Sequence, residues 1–292
     1  LPSRDEPAET LRAFEDHVGR KADAVISFEI GGGNSLVPLI AGADLGIPVI
    51  DGDGMGRALP EAQMMTYPIG GVKPCPALAM DYAGHIATFD TESIFDYETQ
   101  IRQFALENGG MVLAAEHPMT GAEVKASVVP KTVTFSVELG RILREHRGNA
   151  EAMAAHLANA FKPSIYGEFH HLYSGKVIDY SSRIIGGYDI GEATLESFDK
   201  SEPKLTINIK NEYLVARIGD RVVASVPDLI SILDYETSTP INAERLRYGQ
   251  RVSVFGIGCP DYYRRPEALA VVAPRCFGFD FDYRPIEEIA AP

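Results

Sequence analysis

The order strand, glycine turn, helix, strand between Asp23 and Ile50 constrains the fold more than any other feature of the chain. Residues 23–29 (Asp-Ala-Val-Ile-Ser-Phe-Glu) form a short β-type run that ends in Gly31-Gly32-Gly33. Helical spacing follows over 35–43, Gly46 stops it, and Ile47-Pro48-Val49-Ile50 forms a second β-type run. Two strands joined through a helix are parallel neighbours, because a parallel pair needs a crossover connection. The expected fold class is therefore α/β, with a parallel-type α/β N-terminal domain.

The remaining chain extends this reading. Residues 9–18 carry Leu11, Phe14 and Val18 on one helical face. Residues 51–76 are irregular and rich in Gly and Pro, far longer than the usual connection of about 4–6 residues. A stretch of that kind inside a compact domain suits a binding loop. A strand pair is expected at 77–80 and 86–89, turning at Ala83-Gly84, then a helix over 93–108 and a strand over 111–116. Helices follow over 121–128 and over 135–161, the second broken near Gly148. From Lys162 the pattern changes to short β runs at 205–209, 213–218, 221–226 and 251–255, with Asn211 and Gly219-Asp220 placed as hairpin turns. Domains are expected at 1–161 (α/β) and 162–292 (mostly β).

Composition narrows the partners. Of 292 residues, 45% are hydrophobic and 23% charged, the usage of soluble globular chains. No apolar run approaches the roughly 20 residues of a membrane span. The formal charge is -14, and the basic spots at Arg141-Arg144-Arg147, Arg245-Arg247 and Arg264-Arg265 are short and lie among acids. Neither nucleic acid nor membrane is an expected partner, since duplex binding needs clustered Lys and Arg. Three scattered cysteines (Cys75, Cys259, Cys276) build no disulfide framework and no zinc knuckle, and a reducing, cytoplasmic context is expected. Leu1 is not an initiator methionine, so the sequence is expected to begin within a longer protein.

Two segments carry chemistry. In the turn Glu29-Ile-Gly-Gly32-Gly33-Asn34-Ser35, consecutive glycines allow close backbone approach, and the helix after it offers unpaired N–H groups. Leu36 breaks the dinucleotide spacing and no Gly-Lys-Ser/Thr follows, so no nucleotide cofactor is expected. The alternative is a plain tight turn with Asn34 or Ser35 as helix N-cap. The second segment runs from Asp51 through Asp53, Arg57 and Glu61 to Gln63, starting at the carboxyl end of a strand, where open α/β sheets bind ligands. Asp51 and Asp53 alternate onto one face of an extended chain. These carboxylates suit general-base work or cation binding, and Arg57 suits a substrate carboxylate. The alternative is an Asp-Gly loop whose side chains cap its own turns. Elsewhere, His170 and His171 point to opposite faces of a strand, and His117, before Pro118 at a strand end near Thr120-Gly121, is the better candidate ligand. No cluster of three N or S ligands is visible.

The two segments together, Glu-Ile-Gly-Gly-Gly-Asn-Ser and Pro-Val-Ile-Asp-Gly-Asp-Gly-Met-Gly-Arg-Ala-Leu-Pro-Glu-Ala-Gln, resemble the S-methyl-thiohydantoin desulfurase family, also described as hydantoinase- or oxoprolinase-like. The resemblance continues at Pro118-Met119-Thr120-Gly121, at Leu246-Arg247-Tyr248-Gly249-Gln250 and at Pro274-Arg275-Cys276-Phe277-Gly278. It implies a further N-terminal segment ahead of Leu1. It also implies hydrolysis at a hydantoin-type ring, with water replacing a methylthio group, and a divalent metal such as zinc. The expected catalytic residues are Asp51, Asp53 and Glu61; the expected substrate contacts are Glu29, Gly32, Gly33, Asn34, Arg57, Gln63 and Thr120. Metal ligands are not assigned. The expected partners are a small-molecule substrate and either further copies of the chain or a hydantoinase-type subunit. Two alternatives stay open: a non-catalytic subunit of such a complex, and a small-molecule binding module.

Overall fold

The computed structural model describes residues 4–148 and 150–290. Contacts group the chain into two units that divide between Phe135 and Ser136. The first holds α1 (Glu6–Val18), β1 (Val25–Ser27), α2 (Val37–Leu45), β2 (Val49–Asp53), α3 (Thr66–Ile69), β3 (Ala77–Met80), β4 (Ile86–Phe89), α4 (Ile94–Glu107), β5 (Leu113–Ala115), α5 (Gly121–Ser127) and β6 (Val129–Pro130). The division falls inside α6 (Thr132–Glu145).

The expected crossover is present: β1 and β2 are parallel, with Val25 opposite Val49, and α2 joins them. Gly46 ends α2 in the left-handed conformation (φ 68°), where a side chain would be strained. The parallel character stops there, which corrects the expectation of a parallel-type domain. β6 joins β2 antiparallel, and the second sheet, β4-β3-β5, is antiparallel throughout. The physical reason is connection length. Ala83-Gly84 closes a hairpin between β3 and β4, and a hairpin enforces antiparallel pairing.

Leu11 and Phe14 of α1 pack on Leu78 of β3, with Val25, Leu45 and Ile47 around them. On α4, Tyr97 is wholly buried against Ala77, Ala79 and Phe89. Ser93 caps α4 by accepting from the Asp96 amide at 3.2 Å. The helix expected at 135–161 is two helices, α6 and α7 (Ala150–Phe161). Helix α6 starts earlier than its apolar spacing suggests because Asp51 accepts from the Thr134 amide (3.0 Å) and hydroxyl (2.6 Å) in its first turn.

The second unit contains β7 (Phe169–Ile185), β8 (Tyr188–Ser197), β9 (Leu205–Lys210), β10 (Glu212–Ile218), β11 (Arg221–Ser225), β12 (Leu229–Asp234), β13 (Pro240–Ile241), β14 (Arg251–Ile257), α8 (Pro266–Val272) and α9 (Ile286–Ile289). The strands form an eight-stranded antiparallel sheet in the order β11-β10-β9-β8-β7-β14-β12-β13. The mostly β reading of this region holds. Leu205, Ile207 and Ile209 alternate into its core with Val177, Leu195, Val252 and Val254. Buried Asp228 pins the C-terminal segment by accepting from the amides of Cys259 and Ile286, both at 2.8 Å, and from the Tyr283 hydroxyl at 2.9 Å. The three cysteines carry free thiols. Among the described residues, no helix is long and apolar enough to cross a membrane.

Candidate functional site

Asp53 closes β2 and is completely buried. Its Oδ2 accepts three backbone N–H groups: Ile30 at 2.9 Å, Met55 at 3.0 Å and Gly56 at 2.8 Å. The Ile30 amide comes from the glycine-rich turn, so turn and carboxylate are one structure. Oδ1 has no hydrogen-bond partner. The Thr132 side chain lies beside the carboxyl and lowers its proton affinity, yet its hydroxyl also lacks a partner within hydrogen-bond geometry. Burial outweighs these donors and pushes the Asp53 carboxyl up to about 6.

Close backbone approach explains two of the glycines. A Cβ on Gly54 would stand 2.7 Å from the Phe28 carbonyl oxygen and 2.8 Å from the Tyr67 ring. One on Gly31 would meet the Ala58 Cβ at 2.8 Å. Gly32 and Gly33 are different: nothing lies within 4 Å of where their Cβ would be, so this side of the turn is open.

The structure distributes the expected site residues unevenly. Glu29 and Asn34 are brought together, the Asn34 amide donating to Glu29 Oε1 at 2.5 Å. Neither Asn34 nor Ser35 caps α2: Ser35 Oγ donates to the Gly32 carbonyl, and Leu36 is the cap residue. Arg57 is buried, with Nε donating to the Ala58 carbonyl at 3.0 Å. Glu61 accepts from the Gln63 amide at 2.5 Å. Their loop is tied to α4, where Glu98 accepts from the Ala62 amide (2.9 Å) and Arg102 donates to the Pro60 carbonyl (3.0 Å). Asp51 is exposed and engaged by Thr134, so the two aspartates of β2 serve different partners. Thr120 builds a capping box with Glu123 at the start of α5. That contact holds the Glu123 carboxyl below the usual carboxylate range.

A second group of buried polar residues surrounds Tyr67. The Tyr67 hydroxyl donates to the Ser27 carbonyl at 2.7 Å, and burial, then the charges of Asp53 and Glu116, raise its pKa well above the ordinary tyrosine range. Its ring lies 5.9 Å from that of His117 and the Tyr97 ring 6.2 Å from it. The Tyr97 hydroxyl donates to Glu116. Tyr67, Tyr97 and Glu116 carry no motif, and nothing local in the sequence marks them; the fold alone assembles them. Among the described residues, no three His, Cys, Asp or Glu side chains are grouped to hold a metal ion. They offer no three-ligand set of the kind that a catalytic zinc ion ordinarily uses.

A mixed α and β unit that buries the Asp53 carboxyl beneath a glycine turn, followed by an antiparallel β unit, defines a protein of the α and β class. The chain belongs to the S-Me-THD-like family: its N-terminal domain matches residues 1–91 and its C-terminal domain residues 92–286. No curated protein matches the sequence. The fold is shared with the crystal structure of a protein from Chromobacterium violaceum, with a TM-score of 0.78 and 22% identity over 98% of this chain and 80% of that one.

Proposed function

We propose that the protein is a hydrolase of hydantoin-type rings, and that its reaction is the desulfurisation of an S-methyl-thiohydantoin. The family supports a thiohydantoin-related role. The observation that carries the reaction is the state of Asp53. One oxygen is immobilised by three amides, the other is unpartnered, and the carboxyl is poised at about 6, close to the pH at which a general base works best.

Water attacks the ring carbon between the two nitrogens while Asp53 Oδ1 takes its proton. The C–O bond forms and the C–S bond breaks, with the electron pair leaving on sulfur. Water thus supplies its oxygen to carbon, one proton to a ring nitrogen and one to sulfur, giving a hydantoin and methanethiol. The Glu29–Asn34 pair and the open face of Gly32 and Gly33 offer hydrogen-bonding groups to the ring, and Arg57 a positive charge. Methanethiol release from S-methyl-thiohydantoin, followed with a thiol reagent, tests this reading. Turnover by the wild type and a loss of about 10²–10⁴-fold in Asp53→Asn are expected. Absence of methanethiol from the wild type, or an Asp53→Asn variant of undiminished rate, overturns it.

A further inference from the structure

His117 is the most anomalous side chain of the first unit. Its side chain is 1% exposed, and neither ring nitrogen has a hydrogen-bond partner. An unmade hydrogen bond on a buried polar atom is costly, and this ring carries two. The backbone adds to the cost, since His117 is held at φ 50°, a region that non-glycine residues rarely occupy. The strain is fixed by its amide, which donates to the Pro74 carbonyl at 2.9 Å.

The surroundings are ordered around this ring. Glu116 places Oε1 3.6 Å from His117 Nδ1, beyond hydrogen-bond reach but within ion-pair range. The other Glu116 oxygen is anchored by the Tyr97 hydroxyl, which burial keeps protonated and therefore a donor. A nucleophile or proton donor oriented by a carboxylate, itself oriented by a third group, is the logic of catalytic relays on many folds. Here Nδ1 faces the carboxylate and leaves Nε2 for another partner. Tyr67 links this relay to Asp53: its ring contacts His117, and Asp53 and Glu116 both act on its hydroxyl.

We propose that His117 is the second catalytic group of the hydrolysis, protonating the departing sulfur through Nε2–H, with Glu116 and Tyr97 as its positioning residues. This rests on the hydrolase reading above. The step balances: as the C–S pair moves to sulfur, the Nε2 proton follows it. The proton that Asp53 takes from the attacking oxygen equals the one that His117 gives to sulfur, so the protein carries no net change of charge through the step. Asp53 and His117 then divide base and acid duties between two environments.

A leaving-group series tests the assignment on the full chain. Substrates carrying a methylthio group need a proton on sulfur, whereas a 4-nitrophenylthio group departs without one. His117→Gln is expected to lower kcat/KM for the methylthio substrate by about 10²-fold and for the nitrophenylthio substrate by less than about tenfold. Asp53→Asn lowers both alike. Glu116→Gln and Tyr97→Phe are expected to follow His117→Gln with smaller losses. Equal slowing of both substrates by His117→Gln overturns the acid role and leaves the hydrolase reading standing. A wild type that releases neither thiol overturns both. If His117→Gln does not fold, ¹⁵N resonances of the wild-type imidazole decide: a hydantoin-induced shift of Nε2 supports the proposal, and unmoved nitrogens overturn it.

Discussion

The burial that suits Asp53 to the proposed role of base also makes it a liability to the fold. Aspartate ordinarily titrates at 3.8 and Asp53 in the fold at about 6, so the folded state holds the proton more tightly than the unfolded chain. Stability from this group is therefore present in full below about pH 4 and is lost as pH rises through about 6. The whole effect is on the order of 3 kcal/mol. Asp53→Asn is expected to leave stability near pH 4 almost unchanged and to raise the unfolding free energy at pH 8 by up to about 3 kcal/mol while lowering turnover by about 10²–10⁴-fold. Urea unfolding at the two pH values checks it; a variant less stable than wild type at pH 8 contradicts the cause given for the shift. In the wild type, kcat/KM should fall below about pH 6 as the base is protonated. The place of Asp53 was legible in the sequence because it follows from a local fact, the end of a strand beside a glycine turn. His117 was legible only as an isolated histidine. Its meaning depends on Tyr67 and Tyr97, 50 and 20 positions away, which no local pattern connects to it.

At the scale of elements, legibility followed the clarity of the period. The hairpin β3–β4 lies where alternation and Ala83-Gly84 place it, and Leu205, Ile207 and Ile209 read directly as the buried side of β9. Of β7 and β8, the longest strands among the described residues, the sequence pattern marks only a strand at His170-His171. In β7 the alternation is interrupted by His170-His171 and Gly175, and its far end, including Ile184 and Ile185, is exposed. These strands are held by neighbours on both sides of the sheet, which no single-strand pattern records. Thr120 shows the same limit from the other direction, since the motif that suggested substrate contact also spells a helix start. Both readings make opposite demands on one variant. Thr120→Ala removes the capping box of α5 and should cost about 0.5–2 kcal/mol of stability with KM unchanged. A raised KM with an unaltered Tm would return Thr120 to the substrate.

For the whole molecule, the family boundary and the packing boundary do not coincide, and the difference is physical. The N-terminal family domain ends at Thr91, immediately before the Ser93 cap of α4. Yet Tyr97, Ile101 and Phe104 of α4 cover Ala77, Ala79 and Phe89, and β5 pairs with β3 along Leu78–Met80. Strand β2 likewise takes β6 as its neighbour at Gly52 and Asp53, and the first turn of α6 supplies Thr134 to Asp51. A chain cut at residue 91 keeps the glycine turn and Asp53 but loses the helix over one sheet and a strand from each. Uncovering aromatic and aliphatic side chains of this size forfeits about 1.5–3 kcal/mol apiece, comparable in sum with the total stability of a small domain. A fragment of residues 1–91 is therefore expected to show no cooperative thermal transition and no near-UV dichroism. A fragment of residues 1–147, which retains α4, β5, α5, β6 and α6, is expected to show both. Cooperative melting of the shorter fragment would mean that the sequence boundary, and not the packing boundary, sets the folding unit around Asp53.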